Sequence, residues 1–268
     1  MPRSFLTKLS SLALALAICT LVLAQAVTPG QTSDDPLEPL MRLSLETAPV
    51  QYTSPREHSE LAARCAEQSR AARSYRSWLI QRDFSMDYLK PRNFAYVEWR
   101  FEFAGSGRFH VRQTIHEKPP LGEMFDERIS VGEGHFVLAG SWMRAPKEMA
   151  AEYVEMNRFL GLEKFAEILR TAKATLAGTT TFAERRLALV EYDGIPVEGY
   201  QIFYSLQGVR CRARLWIDAG TGNLVKGELI FRGKDSNDRP VHKVFEQVFS
   251  DHNQEIAVDA PALTPAKK

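Results

Sequence analysis

The sequence has few of the residues from which catalytic and metal sites are built. Its 268 residues include three cysteines and six histidines, without an HExxH motif, a zinc-type Cys/His cluster or a G-x-S-x-G elbow. Two Gly-x-Gly segments, Gly105–Gly107 and Gly220–Gly222, lie between strand-like stretches, where no following helix could offer its N-terminus to phosphate. His110 and His116 are best explained as solvated surface histidines of one strand. We therefore expect no cofactor, no metal and no catalytic residues, and hence a protein that is not an enzyme.

Charge of one sign is also not in excess. The 34 basic and 33 acidic residues give a formal net charge of +1. A nucleic-acid partner usually requires a basic surplus, so none is expected. Beyond the N-terminal region, no stretch is apolar for long enough to span a membrane.

The first 26 residues have the layout of a signal peptide. Arg3 and Lys8 precede an apolar run that ends in the small-x-small site Ala24-Gln25-Ala26. An uncleaved anchor helix and a lipid-modified Cys19 are alternatives, although Ile18 is bulkier than a lipobox normally allows. We expect cleavage after Ala26 and export across the inner membrane to the periplasm. Residues 27–54, rich in Pro, Thr, Asp and Ser without periodicity, are predicted to be a flexible leader.

Two cysteines remain after that cleavage, Cys65 and Cys211. In an exported protein an even pair favours a disulfide, which would staple a helix across a sheet. Two buried, unpaired thiols are the alternative.

Alternating side chains dominate the second half of the chain. From Val209 to Asp218, apolar residues alternate with Arg210, Arg212 and Arg214, which predicts a strand with one dry and one wet face. The turn residues 218–223 predict a hairpin to a strand over 223–232. Similar hairpins recur without βαβ alternation. We therefore predict the α+β class: a strongly curved antiparallel sheet, or unclosed barrel, with helices covering its concave face, over residues 55–252 and followed by a tail, 253–268.

Two helical regions interrupt the strands. Ser54-Pro55-Arg56-Glu57 has the residues of a helix start, and the helix is expected to run to about Arg73. The second region, from Lys147 to about Ala174, should break or bend at Gly161.

Aromatic and aliphatic residues recur on one side of the predicted strands and on the second helical region. They could pack dry against the helices or leave a cavity for an acyl chain, and the same side chains suit both. The residues predicted to line such a cavity, or to form its lid, are Val97, Trp99, Phe101, Phe103, Phe109, Val111, Ile115, Tyr153, Met156, Leu160, Phe165, Tyr200, Ile202 and Leu215.

Four stretches resemble the LolA-like family of periplasmic lipoprotein carriers and the related LppX-type lipid-carrying lipoproteins. They are RNFAYVEWRFEF with GRFHVRQ, FDERISVGEGHFVLAGSWMRAP, EMNRFLGLEKFAEIL, and RARLWIDAGTGNLVKGELI. The resemblance implies an unclosed barrel with a helical lid over a hydrophobic cavity that shelters acyl chains.

The leading hypothesis is therefore a periplasmic carrier whose partner is a lipid or the acyl chain of a lipoprotein, with a membrane-associated protein as a further candidate partner. A protein-interaction or sensor domain that docks a partner through Arg210, Arg212 and Arg214 is the alternative.

Overall fold

The computed structural model describes residues 35–85, 96–105, 107–116, 123–195, 207–234 and 238–263. The predicted signal peptide lies outside these residues, as do Tyr200 and Ile202 of the predicted lining. From Pro36 onward the chain forms one compact unit.

One antiparallel sheet contains all twelve strands of the described residues. The strands are β1 (Gln51–Thr53), β2 (Tyr75–Ser85), β3 (Tyr96–Phe103), β4 (Arg108–His116), β5 (Glu123–Val131), β6 (Gly134–Ala139), β7 (Ser141–Arg144), β8 (Ala174–Phe182), β9 (Arg185–Ile195), β10 (Gln207–Asp218), β11 (Leu224–Lys234) and β12 (Pro240–Ser250). Their spatial order is β1-β8-β9-β10-β11-β12-β2-β3-β4-β5-β6-β7, so the two edges β1 and β7 do not pair and the barrel stays open. This curved α+β half-barrel confirms the predicted fold class.

Four α-helices accompany the sheet in the described part of the chain: α1 (Glu38–Met41), α2 (Ser59–Ala71), α3 (Ala150–Leu160) and α4 (Glu163–Thr171). The predicted start of α2 is present as a 3₁₀ turn, Pro55–His58, whose Ser54 and Glu57 cap each other in a capping box. The second helical region breaks at Gly161, as expected. A Cβ on Gly161 would lie 2.6 Å from the carbonyl oxygen of Asn157, so a larger residue would not fit between α3 and α4.

The hairpin between β10 and β11 follows the predicted pattern. Asp218 organises its turn, because its Oδ1 accepts hydrogen bonds from the backbone N–H groups of Gly220 (3.0 Å) and Thr221 (2.8 Å). Gly222 adopts a φ of 79°, which a residue with a side chain rarely adopts. The turn fixes the register that buries Cys211 and Leu215 on the concave face.

The N-terminal segment differs from the predicted flexible leader over residues 35–54. Leu37, Leu40 and Leu43 are buried, at 0–6% exposure, against a second apolar cluster on the convex face of the sheet that includes Trp216. Strand β1 then adds to the sheet beside β8. The prediction was wrong here because these leucines bury apolar surface on strands that lie more than 140 residues away in the chain.

The predicted tail is also attached over its first residues. Ile256 and Val258 are buried with Ile129 and Phe136 in a third cluster. The backbone N–H of Asn253 donates to the carbonyl oxygen of Ser74 at 2.8 Å. The folded region therefore continues past residue 252, because these two apolar side chains pack against β5 and β6.

No helix in the described ranges is long and apolar enough to cross a membrane.

Candidate functional site: the concave face and its helices

The largest apolar cluster lies between the concave face of the sheet and the helices α2, α3 and α4. It brings together most of the predicted lining and lid residues, which come from five different elements. Those in the cluster are Val97, Trp99, Phe101, Phe103, Phe109, Val111, Tyr153, Met156, Leu160, Phe165 and Leu215. Ile115 is partly exposed and is not a member of the cluster, although it lies opposite Val97 in the β3–β4 pair. Their contact with a ligand remains a prediction.

Helix α4 closes its part of the concave face. Four of its nine residues are at most 7% exposed, and Phe165 lies directly on Gly227 of β11. A Cβ built on Gly227 would be 2.4 Å from the Phe165 ring, so the glycine makes room for the aromatic side chain. The Phe165 ring also packs edge-on against Phe249, with centroids 5.7 Å apart. This half of the site is a filled core.

Helix α3 covers its part of the face less completely. Only Tyr153 and Leu160 are buried along its eleven residues, near its two ends. Tyr153 donates a hydrogen bond of 2.8 Å to the carbonyl oxygen of Phe136, which attaches the helix to β6. Several apolar residues pack on the cluster and yet remain partly exposed. They lie on α3, in the turn directly before it and on nearby strands: Val97, Val137, Met149, Met156 and Phe159. Solvent therefore reaches apolar surface at α3 and not at α4.

A polar pair lies between these two halves. Lys164, in the first turn of α4, donates hydrogen bonds to Gln247 Oε1 at 2.6 Å and to the carbonyl oxygen of Phe159. Gln247 is fully buried on β12, and its Nε2 donates to Ser77 Oγ (2.9 Å) and to the carbonyl oxygen of Leu160 (2.6 Å). Burial lowers the pKa of Lys164 to about 7, because the ammonium has lost water and no carboxylate of the described residues pairs with it.

The two cysteines are free thiols. Both are fully buried in the large cluster, where burial raises the pKa of each to about 12. The predicted disulfide was therefore wrong and the alternative of two unpaired thiols is correct. Cys65 and Cys211 act as small apolar residues between α2 and the sheet, since a thiol with so high a pKa is protonated and unreactive.

The arginine row of β10 lies on the convex face, as the alternation predicts. Arg214 forms ion pairs with Glu191 (3.3 Å) and Glu228 (3.7 Å), and Arg212 lies 3.9 Å from Glu191. These carboxylates come from the neighbouring strands β9 and β11. Two of the three arginines are thus neutralised within the sheet, which leaves less positive charge for an acidic partner.

His110, expected to be solvated, is instead held between two carboxylates of the convex face. Its Nε2 lies 2.6 Å from Glu127 Oε1 and its Nδ1 lies 3.4 Å from Glu102 Oε2. The bond to Glu102 is the main cause that raises the pKa of His110, and it lowers the pKa of Glu102 to about 2. The pattern could not show this, because the three residues come from three strands.

Within the described ranges, no group of three His, Cys, Asp or Glu side chains could hold a metal ion.

Comparisons with known proteins identify the fold. No protein-family model matches the sequence, and no curated protein matches it either. The crystal structure of LprF from Mycobacterium bovis superposes with a TM-score of 0.51 at 14% identity, over 79% of this chain and 100% of LprF. A LolA superfamily protein from Nitrosomonas europaea (TM-score 0.28, 12% identity, 75% of this chain and 94% of that one) is a more distant match. So is a DUF1329 family protein from Desulfovibrio piger (0.30, 11%, 77% and 96%). Of the three, LprF identifies the fold, and the chain has the LolA/LppX-like fold that its sequence resembles.

Proposed function

We propose that the protein is an exported, non-enzymatic carrier that holds the acyl part of a lipid or lipoprotein beneath α3. A fold by itself does not decide what a protein binds, so the proposal depends on the site. Its main support is the partly exposed apolar surface at α3, beside a half of the same face that α4 fills completely. Burying an acyl chain there would contribute about 0.8 kcal/mol per CH₂ group.

The side chains beneath α3 suit such a ligand. They include the branched side chain of Val97, the ring of Trp99 and the flexible thioether of Met156, all of which suit contact with a hydrocarbon chain. Tyr153 and Leu160 attach α3 near its two ends, so the helix forms a fixed cover over the side chains beneath its middle. Export to the periplasm, where a hydrocarbon chain needs shelter from water, completes the proposal.

Two substitutions on α3 test the proposal. Met156 packs on the cluster, whereas Val154, on the same helix, is 65% exposed. We expect Met156→Glu to weaken binding of a fluorescent fatty acid at least tenfold, because a carboxylate would be buried beside the chain, and Val154→Glu to leave binding unchanged. Native mass spectrometry of protein purified from an exporting bacterial host should show a lipid adduct that Met156→Glu loses. Protein that carries no adduct and takes up no fatty acid would refute the carrier function.

A further inference from the structure

Two lysines of the described residues, Lys226 fully buried and Lys164 mostly buried, differ in what surrounds their ammonium groups. Lys226 is fully buried on β11, and its Nζ lies 3.3 Å from carboxylate oxygens of both Glu228 and Glu246 and 2.6 Å from the carbonyl oxygen of Leu43. Lys164 is mostly buried, and its hydrogen bonds go only to the neutral oxygens of Gln247 and Phe159. Among the described residues it has no carboxylate partner. A buried ammonium is costly unless it is paired with a negative charge. An anion bound beside Lys164 would therefore be electrostatically favourable.

Lys164 also lies where the filled half of the concave face meets the partly exposed half. Its Nζ is 4.9 Å from the ring centroid of Phe165, on the filled side, and 5.1 Å from that of Phe159, on the α3 side. Phe159 in turn contacts Trp99, with centroids 5.7 Å apart. A chain lying beneath α3 would therefore place one of its ends near this ammonium.

Among the described residues, the hydrogen bonds of Lys164 leave one of its N–H groups available. An ammonium has three donors, and the two acceptors within the described chain are Gln247 Oε1 and the carbonyl oxygen of Phe159. Gln247 has no free donor of its own, because Ser77 and Leu160 accept from its Nε2. Its role is to hold the Lys164 ammonium in place. The third N–H is the group that a ligand oxygen could accept.

We propose that Lys164, positioned by Gln247, binds the anionic headgroup of a single-chain amphiphile, a carboxylate or a phosphate monoester, whose hydrocarbon tail lies beneath α3. This inference rests on the proposed carrier function and names its ligand class. It adds a direction: the charged end lies at α4, while the tail extends toward Trp99, Val97 and Ile115. A charge-assisted hydrogen bond to the ligand replaces the missing counter-charge of the ammonium.

Such a contact would couple binding to proton uptake. The pKa of Lys164 is lowered to about 7 by burial, so the free protein is largely neutral at that position at pH 8. A bound anion favours the charged form and raises the pKa, so a proton is taken up on binding. Calorimetry in two buffers of different ionisation enthalpy at pH 8 should show this uptake, and Lys164→Met should abolish it. A lysine with only a structural role would show no uptake on binding.

The discriminating experiment compares cis-parinaric acid with its methyl ester by fluorescence at pH 6, where the ammonium is charged. We expect the wild-type protein to bind the acid at least tenfold more tightly than the ester. Lys164→Met should remove this preference, and Lys173→Met, at an exposed lysine just after α4, should retain it. The acid and ester are compared on the wild-type protein, so the test does not depend on the stability of a variant.

The outcomes separate the two proposals. Equal binding of acid and ester, with no effect of Lys164→Met, would overturn the headgroup site and leave the carrier function standing. Failure of both probes to bind the wild-type protein would refute the carrier function and this inference together. Displacement of the probe by oleate or by oleoyl lysophosphatidic acid then identifies the anion as carboxylate or phosphate, and displacement by neutral monoolein alone would overturn the headgroup site.

Discussion

Replacing Lys164 with methionine should stabilise the protein at neutral pH, although it removes two hydrogen bonds. Burial lowers the pKa of this lysine from 10.5 to about 7. Each pH unit of that shift corresponds to about 1.4 kcal/mol, so the desolvation penalty approaches 5 kcal/mol below pH 7. Losing Lys164 leaves the oxygens of Gln247 and Phe159 without their donor, at about 1–3 kcal/mol for a buried acceptor. Two such acceptors cost about 4 kcal/mol together at the middle of that range, so the net gain for Lys164→Met is about 1 kcal/mol at pH 6.

The sign of the pH dependence follows from the direction of the shift. Below pH 7 the lysine is charged in both states, and the folded protein bears the full penalty. As the pH rises from 7 toward 10.5, the folded lysine becomes neutral while the unfolded lysine stays charged, and the wild-type protein gains stability relative to the variant. The advantage of Lys164→Met should fall by about 2 kcal/mol between pH 7 and pH 9.

Urea denaturation at pH 6, 7, 8 and 9 measures this difference directly. At pH 6 a gain of about 1 kcal/mol raises Tm by about 2–4 °C for a domain of this size, which thermal denaturation measures. Lys173→Met, at an exposed position, is the control and should run parallel to the wild type. Parallel stability curves for Lys164→Met and the wild type would refute the reasoning, because they would show that Lys164 titrates alike in the folded and unfolded states.

Three further predictions concern packing and charge elsewhere. Gly227→Ala should lower the free energy of unfolding by about 1–3 kcal/mol, because its Cβ would lie 2.4 Å from the Phe165 ring. Gly220→Ala, in the β10–β11 turn, is the control and should cost less. Equal costs in chemical denaturation would contradict the tight fit of α4 on β11. Leu43→Ala should cost about 2–5 kcal/mol, since Leu43 is fully buried against the convex face, and exposed Glu46→Ala should cost little; a neutral Leu43→Ala would mean that the segment does not pack there. His110→Gln should lower the free energy of unfolding by about 1 kcal/mol near pH 5–6, where a histidine with a raised pKa is charged and Glu102 is ionised. This cost should shrink as the pH rises through the raised histidine pKa, and a cost that grows with pH would contradict the pairing.

The strands were predictable because their pattern records which face is buried. In β10, Cys211, Ala213 and Leu215 alternate with Arg212 and Arg214, and the sheet buries the first set and pairs the second with carboxylates. The Asp-Gly-rich turn after β10 then fixes the register with β11. Local sequence contains both signals, so the sheet and its concave side could be predicted without knowing which strands lie next to which.

The N-terminal segment could not be predicted in this way, because its packing partners are distant in sequence. Trp216 lies on the wet face of β10 by alternation, yet it is fully buried beneath Leu37, Leu40 and Leu43. The three-residue spacing of those leucines is a weak helical signal in a stretch otherwise rich in Pro, Thr and Ser. Lys226 resembles a surface lysine in the sequence and becomes buried only because this segment covers it.

Lys164 left a signal that periodicity could have detected. It lies four residues after buried Leu160 and four before buried Ile168, so a continuous helix would place it on the apolar stripe. What the spacing could not show is that none of the described neighbours of Lys164 is a carboxylate, since that depends on which side chains of β12 and β2 face the helix. Gln247 and Ser77 occupy those positions, and both are neutral.

The cost of Lys164 and the incomplete cover of α3 support the same interpretation of the concave face. A face selected only for stability would hold an apolar residue at position 164, as it does at Phe165, and would bury the middle of α3 as it buries α4. Both departures from a filled core adjoin Phe159, where the ammonium and the partly exposed surface meet. Unpaired charge and uncovered apolar surface are the two features that a bound amphiphile would satisfy together, with its head at Lys164 and its tail at α3. Proteins often accept such local costs at functional sites, and a ligand that binds only the folded state returns the lost stability on binding.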